Sequence, residues 1–113
     1  MSKRISGLLL EDILDSCRKI LEYTEGITFE EFESDSKTID AVIRNFEIIG
    51  EAAKLLPDDI KEKYTEVEWH RIRGFRNRII HDYFGVDLQI IWKITHEQIP
   101  GLISGITHIL NDL

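Results

Sequence analysis

The 113 residues include one cysteine and two prolines, and none of their apolar runs approaches the length of a membrane span. Alone, Cys17 excludes an intramolecular disulfide and a cysteine-based zinc site. It falls on the apolar face of an expected helix, where a free cysteine is ordinarily a buried thiol. The N-terminus is basic, but its apolar run Leu8-Leu9-Leu10 stops at Glu11-Asp12. That is too short for the apolar region of a signal peptide, so the expected location is the cytoplasm, with no membrane partner. Glycine-rich phosphate loops and serine or cysteine nucleophile motifs are absent. The four histidines, His70, His81, His96 and His108, show no close ligand spacing, and the expectation is no metal site and no cofactor.

What is present describes an ordinary globular chain, with 42% hydrophobic and 31% charged residues. Its length suits one small domain, residues 1–113, whose core a partner subunit could complete. The formal net charge of -7 argues against a general nucleic-acid coat protein, and DNA is not an expected partner. Against that acidic background, Arg71, Arg73, Arg76 and Arg78 gather in one short stretch, with no acid from Trp69 to His81. A cationic island on an anionic molecule suits a site for phosphate, because screening confines its field to about 10 Å.

Apolar residues recur at helical spacing almost throughout, and no stretch alternates as a strand. A first helix is expected from about Leu8 to Glu25, stopped by Gly26. Thr28-Phe29-Glu30-Glu31 reads as a capping box opening a helical turn through Glu33. A second long helix begins near Asp35 or Ser36 and ends before Pro57, with a turn of helix after that proline. The third runs from Glu68 or Trp69 to His81 or Asp82. Gly85 breaks the chain, Asp87 caps a fourth helix, and Pro100 imposes a kink or break between Thr95 and Gly101. A last helix covers Leu102 to Leu110. The expected fold is all-α, a compact four- to five-helix bundle.

On a continuous helix Arg76 and His81 lie about 140° apart around the axis, within reach of the long arginine stem. Asn77 lies one turn before His81 and faces the same way, able to orient the imidazole or hold a ligand. Tyr83 projects nearly beneath Arg76 if that helix persists. A histidine that titrates near neutrality can act as base or acid, and arginine offers paired donors to phosphate oxygens. Those groups match RNA transesterification, which needs a base for the 2′-hydroxyl and cations for the phosphorane, and no metal. The missing second acid or base could come from the same motif on a symmetry-related subunit. Plainer readings stand beside this one. A histidine at a helix end is favourable to the helix dipole, Arg71, Arg73 and Arg78 can decorate a solvated face or pair with acids of the second long helix, and Tyr83 can cap the core.

Arg76-x4-His81-x-Tyr83, followed by Phe84-Gly85-Val86-Asp87, resembles the HepT-like toxins of the HEPN superfamily. The segment Ala41-Val42-Ile43-Arg44-Asn45-Phe46-Glu47-Ile48-Ile49-Gly50-Glu51-Ala52-Ala53-Lys54 resembles that family's second helix, and the resemblance extends from Leu8 to Leu110. It implies an all-helical homodimer whose two motifs face a shared cleft. It also implies a metal-independent endoribonuclease, the toxin of a toxin–antitoxin pair whose antitoxin is a minimal nucleotidyltransferase. On that resemblance Arg76 and His81 would be catalytic and Asn77 a supporting polar residue, while the basic cluster itself makes Arg78 a supporting residue and Arg71 and Arg73 RNA-binding. Tyr83 would receive AMP from ATP. The rival expectation is a non-catalytic helical module that presents substrate to a nucleotidyltransferase or scaffolds it, with the basic cluster as its docking surface.

Overall fold

In a computed structural model that describes residues 3–81 and 85–113, with backbone only at Arg76, Ile80 and His81, helices dominate the architecture. The first, α1 (Lys3–Thr24), buries Leu10, Ile13, Cys17 and Ile20 on one face. It begins before the expected Leu8 because Ser6, one turn ahead of Leu10, continues the buried stripe. Gly26 follows with φ 73°, a backbone conformation that costs glycine little.

The capping box forms as read from the sequence. The Glu31 amide donates to Thr28 Oγ1 at 3.1 Å, the Thr28 amide donates to Glu31 Oε1 at 3.0 Å, and α2 (Phe29–Glu33) follows. Asp35 then caps α3 (Ser36–Leu55), accepting from the Thr38 amide at 3.2 Å and its hydroxyl at 2.7 Å. The hydrogen bonds from Thr38 hold the Asp35 carboxyl below its ordinary range. Along α3, Val42, Phe46, Ile49 and Ala53 face the core against α1.

After Pro57, α4 (Asp58–Lys63) leads to Tyr64, whose buried ring carries its hydroxyl out to Asp112 Oδ2 at 2.6 Å. That hydrogen bond pushes the phenol up and the carboxyl down from their ordinary values. The indole of Trp69 donates to the Tyr64 carbonyl at 3.0 Å and so fixes where the next helix begins.

Here the structure departs from the expected continuous third helix. The chain forms α5 (Trp69–Arg73), a cap at Gly74, and α6 (Phe75–Ile79). Gly74 donates to the His70 and Arg71 carbonyls at 3.1 and 3.2 Å, closing α5 with a tight turn, and glycine's weak helix propensity favours a break there. The helix then stops at Ile79. Residues Ile80–His81 form β1, which pairs antiparallel with β2 (Gly85–Val86) in the register Ile80↔Val86 and His81↔Gly85. A strand pair was not anticipated. The adjacent β-branched Ile79 and Ile80 favour extended backbone, and Gly85 supplies φ 75°. Tyr83 lies outside the described residues.

Asp87 caps α7 (Leu88–Glu97), accepting from the Ile90 amide at 3.1 Å. The break expected at Pro100 occurs: α7 ends at Glu97 and α8 (Ile99–Asp112) starts with that proline in its first turn. The last helix starts earlier than the expected Leu102. Trp92 sits against Phe32 and Phe29, ring centroids 5.3 and 5.9 Å away, joining α2 to α7. The result is all-α in class, with one core shared by α1, α3, α7 and α8 and the α5–α6 segment seated on α3. Among the described residues no helix is long and apolar enough to cross a membrane.

Candidate active site

Two anchors set the orientation of the basic segment. Trp69 and Ile72 are the buried residues of α5, which turns His70, Arg71 and Arg73 outward. On α6, Phe75 and Ile79 are each 1% exposed, and the Phe75 ring meets Phe46 of α3 edge-on at 5.3 Å. Arg76 therefore occupies a helix position clamped on both sides by core residues. Asn77 is exposed and Arg78 half-buried.

The end of α6 at Ile79 changes the expected geometry. His81 belongs to β1, so Asn77 and His81 do not share a helical face, and a helix does not carry Arg76 down to Tyr83. What links the two parts of the motif is a short path through extended backbone, held by the Asp87 amide donating to the Ile79 carbonyl at 2.8 Å.

The arginines expected to meet RNA separate. Arg73 lines a groove of about 730 Å³ that also includes Asn77, whereas Arg71 lines a different depression beside Glu97 and Gln98. Arg71 Nε also lies 3.4 Å from Glu68 Oε2, an exposed pair of modest strength. Arg73 has no carboxylate within 4.0 Å among the described residues.

The far wall of that groove comes from α3, which lends Arg44, Glu47, Glu51 and Lys54. These recur at three- and four-residue steps along one helix face, a polar stripe visible in the sequence. The sequence left open that the basic segment meets acids of this helix, but these four were not singled out as site residues. Arg44 and Glu47 approach to 3.8 Å. Gly50 lies at the floor, where an added Cβ would meet the Ile72 and Arg73 carbonyl oxygens at 3.7 and 3.8 Å, ordinary contact distances. Glycine inside a helix costs about 1 kcal/mol relative to alanine. Neither φ nor steric overlap demands it here; without a side chain, this position lets the α5 backbone come close to α3.

Cysteine chemistry has no place in this site. Cys17 is fully buried on α1, and burial pushes its thiol up to about 12 from 9.0. The folded protein is expected to resist thiol alkylation at pH 8 and to react once denatured, which a timed labelling experiment with and without urea checks. Because the folded value is raised, this group's contribution to stability is fully present below about pH 9.0. It is lost as pH rises through about 12. Among the described residues no group of three or more histidine, cysteine, aspartate or glutamate side chains could hold a metal ion. His96 Nδ1 instead lies 2.8 Å from the Trp92 carbonyl oxygen on its own helix.

Residues 13–109 match the model of the ribonuclease HepT-like family. The chain belongs to that family. A protein of Methanocaldococcus jannaschii named "Putative RNase" is 42% identical over 113 residues, covering 100% of this chain and 93% of the relative. A "Probable ribonuclease HepT" of Thermococcus cleftensis is 47% identical over 100 residues, 88% of this chain and 91% of its own length. A "Putative RNase" of Caldanaerobacter subterraneus subsp. tengcongensis is 44% identical over 101 residues, 89% and 90% of the two chains. No solved structure matches the chain. In this chain, α6 and the turn out of it through β1 are the elements on which Arg76 and His81 lie.

Proposed function

We propose that this protein is a metal-independent endoribonuclease, the toxin of a toxin–antitoxin pair, in which Arg76 and His81 carry the reaction. Its membership of the ribonuclease HepT-like family, over residues 13–109, is the observation that carries the reading. His81 takes the 2′-hydroxyl proton as that oxygen attacks the adjacent phosphorus, or gives a proton to the leaving 5′-oxygen as the P–O5′ bond breaks. The products are a 2′,3′-cyclic phosphate and a 5′-hydroxyl. Arg76 stabilises the charge on the phosphorane oxygens. Asn77 and Arg78 support the phosphate, and Arg73 extends the cationic surface along the groove, with Arg71 as an outer contact. One imidazole cannot be base and acid at once, so a homodimer with facing motifs supplies the second group.

Tyr83 is the switch in this account. A cognate minimal nucleotidyltransferase antitoxin transfers AMP from ATP to its hydroxyl, releasing pyrophosphate. The adenylate's negative charge then occupies the place of the RNA phosphate beside Arg76. Protein made without any nucleotidyltransferase is expected to cut total RNA. After incubation with the antitoxin and ATP it should gain one or more adenylates by intact mass and lose cleavage, while Tyr83→Phe keeps both its mass and its activity. An adenylated protein that cuts as fast as the unmodified one would remove the switch from the account.

A further inference from the structure

The groove between α3 and α5–α6 is unexplained by cleavage chemistry alone, because it carries carboxylates on a surface meant for a polyanion. Glu47 sits 3.8 Å from Arg44, but Glu51 has no ion pair among the described residues. Both face Arg73 and Asn77 across about 730 Å³, a volume within the usual range of small-molecule sites. An exposed carboxylate near a phosphate track weakens RNA binding unless it accepts a hydrogen bond from the ligand. Phosphates and ribose hydroxyls do not present paired N–H donors, but bases do. Guanine offers adjacent N1–H and N2–H donors on its Watson–Crick edge, a match for the two oxygens of a carboxylate. Single-stranded RNA presents that edge unpaired.

We propose, resting on the ribonuclease reading, that this groove seats the nucleotide next to the scissile phosphate and that Glu51 reads its base as guanine. Lys54 and Arg73 hold the phosphate of that nucleotide, and Asn77, one residue from Arg76, marks where the groove meets the reaction site. The preference is for guanine over uracil, whose single N3–H gives the carboxylate one donor instead of two.

The test pairs binding with cleavage in the full chain, unmodified at Tyr83. Fluorescent 2′-O-methyl hexanucleotides that differ only in one central base cannot be cleaved, and their affinities report the groove alone. Wild type is expected to bind the guanosine oligomer about tenfold more tightly than the uridine one, the scale of one correctly read base. Glu51→Gln, nearly isosteric, should erase that ratio. Mapped cleavage ends in total RNA should show guanosine beside the cut in wild type and a reduced bias in Glu51→Gln. Equal affinities for the four bases, or an unchanged bias in Glu51→Gln, overturn the assignment while the nuclease stands. Base-dependent binding by a protein that leaves RNA intact keeps the groove and removes the nuclease. An altered oligomeric mass in Glu51→Gln, without any change in base preference, would make the groove a subunit or partner interface and overturn the proposal.

Discussion

His81→Ala and Arg76→Ala are expected to abolish RNA cleavage while leaving the fold in place. Loss of a general acid or base costs about 10² to 10⁴ in rate, and loss of a donor that stabilises the reaction's oxyanion about 10² to 10³. The loss should fall on kcat, since both groups act on charge and protons that change in the transition state. The segment's seat on α3 comes from Phe75 and Ile79, which flank Arg76 and remain in both variants. Single-turnover cleavage and thermal unfolding, run side by side, separate the two effects. Lost cleavage with lost stability would make Arg76 a structural residue.

Phe75→Ala is the largest expected effect on stability, about 3–5 kcal/mol, from buried area removed and the cavity left behind. Phe75 is 1% exposed and its ring meets Phe46 at an interplanar angle of 86°, an arrangement that adds about 0.5–1.5 kcal/mol beyond area. Small domains are stable by only about 5–15 kcal/mol, so the variant should unfold at much lower urea and well below the wild-type midpoint temperature. It should also lose activity, because the same ring holds α6 against α3 and thereby sets the position of Arg76. Urea titration measures the first effect. A variant as stable as wild type would mean that the α3–α6 contact does not fix the segment.

These two predictions mark where the sequence was sufficient and where it was not. Local signals with local partners were legible. Thr28 and Glu31 satisfy one another within a single turn, Asp87 caps its own helix, and Pro100 breaks the chain at its own position. The apolar stripes of α1 and α3 likewise follow from period alone. The third helix failed because a favourable periodicity across residues 68–82 conceals two competing preferences. Gly74 weakens the helix in its middle, and after Ile79 the chain leaves the helix for extended backbone, Ile80-His81 pairing with Gly85-Val86. The placement of Asn77 relative to His81 depended on that helix and changed with it. Glu51 and Lys54 gave no signal of a site because their significance lies in Arg73 and Asn77 across the groove, a relation set by packing.

Cleavage of total RNA in excess chelator, by unmodified wild type beside His81→Ala, tests the central claim most directly. Wild type should cut and leave 2′,3′-cyclic phosphate ends, and His81→Ala should leave the RNA intact. Equal cutting by both proteins, or cutting that appears only when a divalent metal is restored, would contradict a metal-independent nuclease centred on His81. RNA intact in both tubes would turn the basic segment into a docking surface for a nucleotidyltransferase.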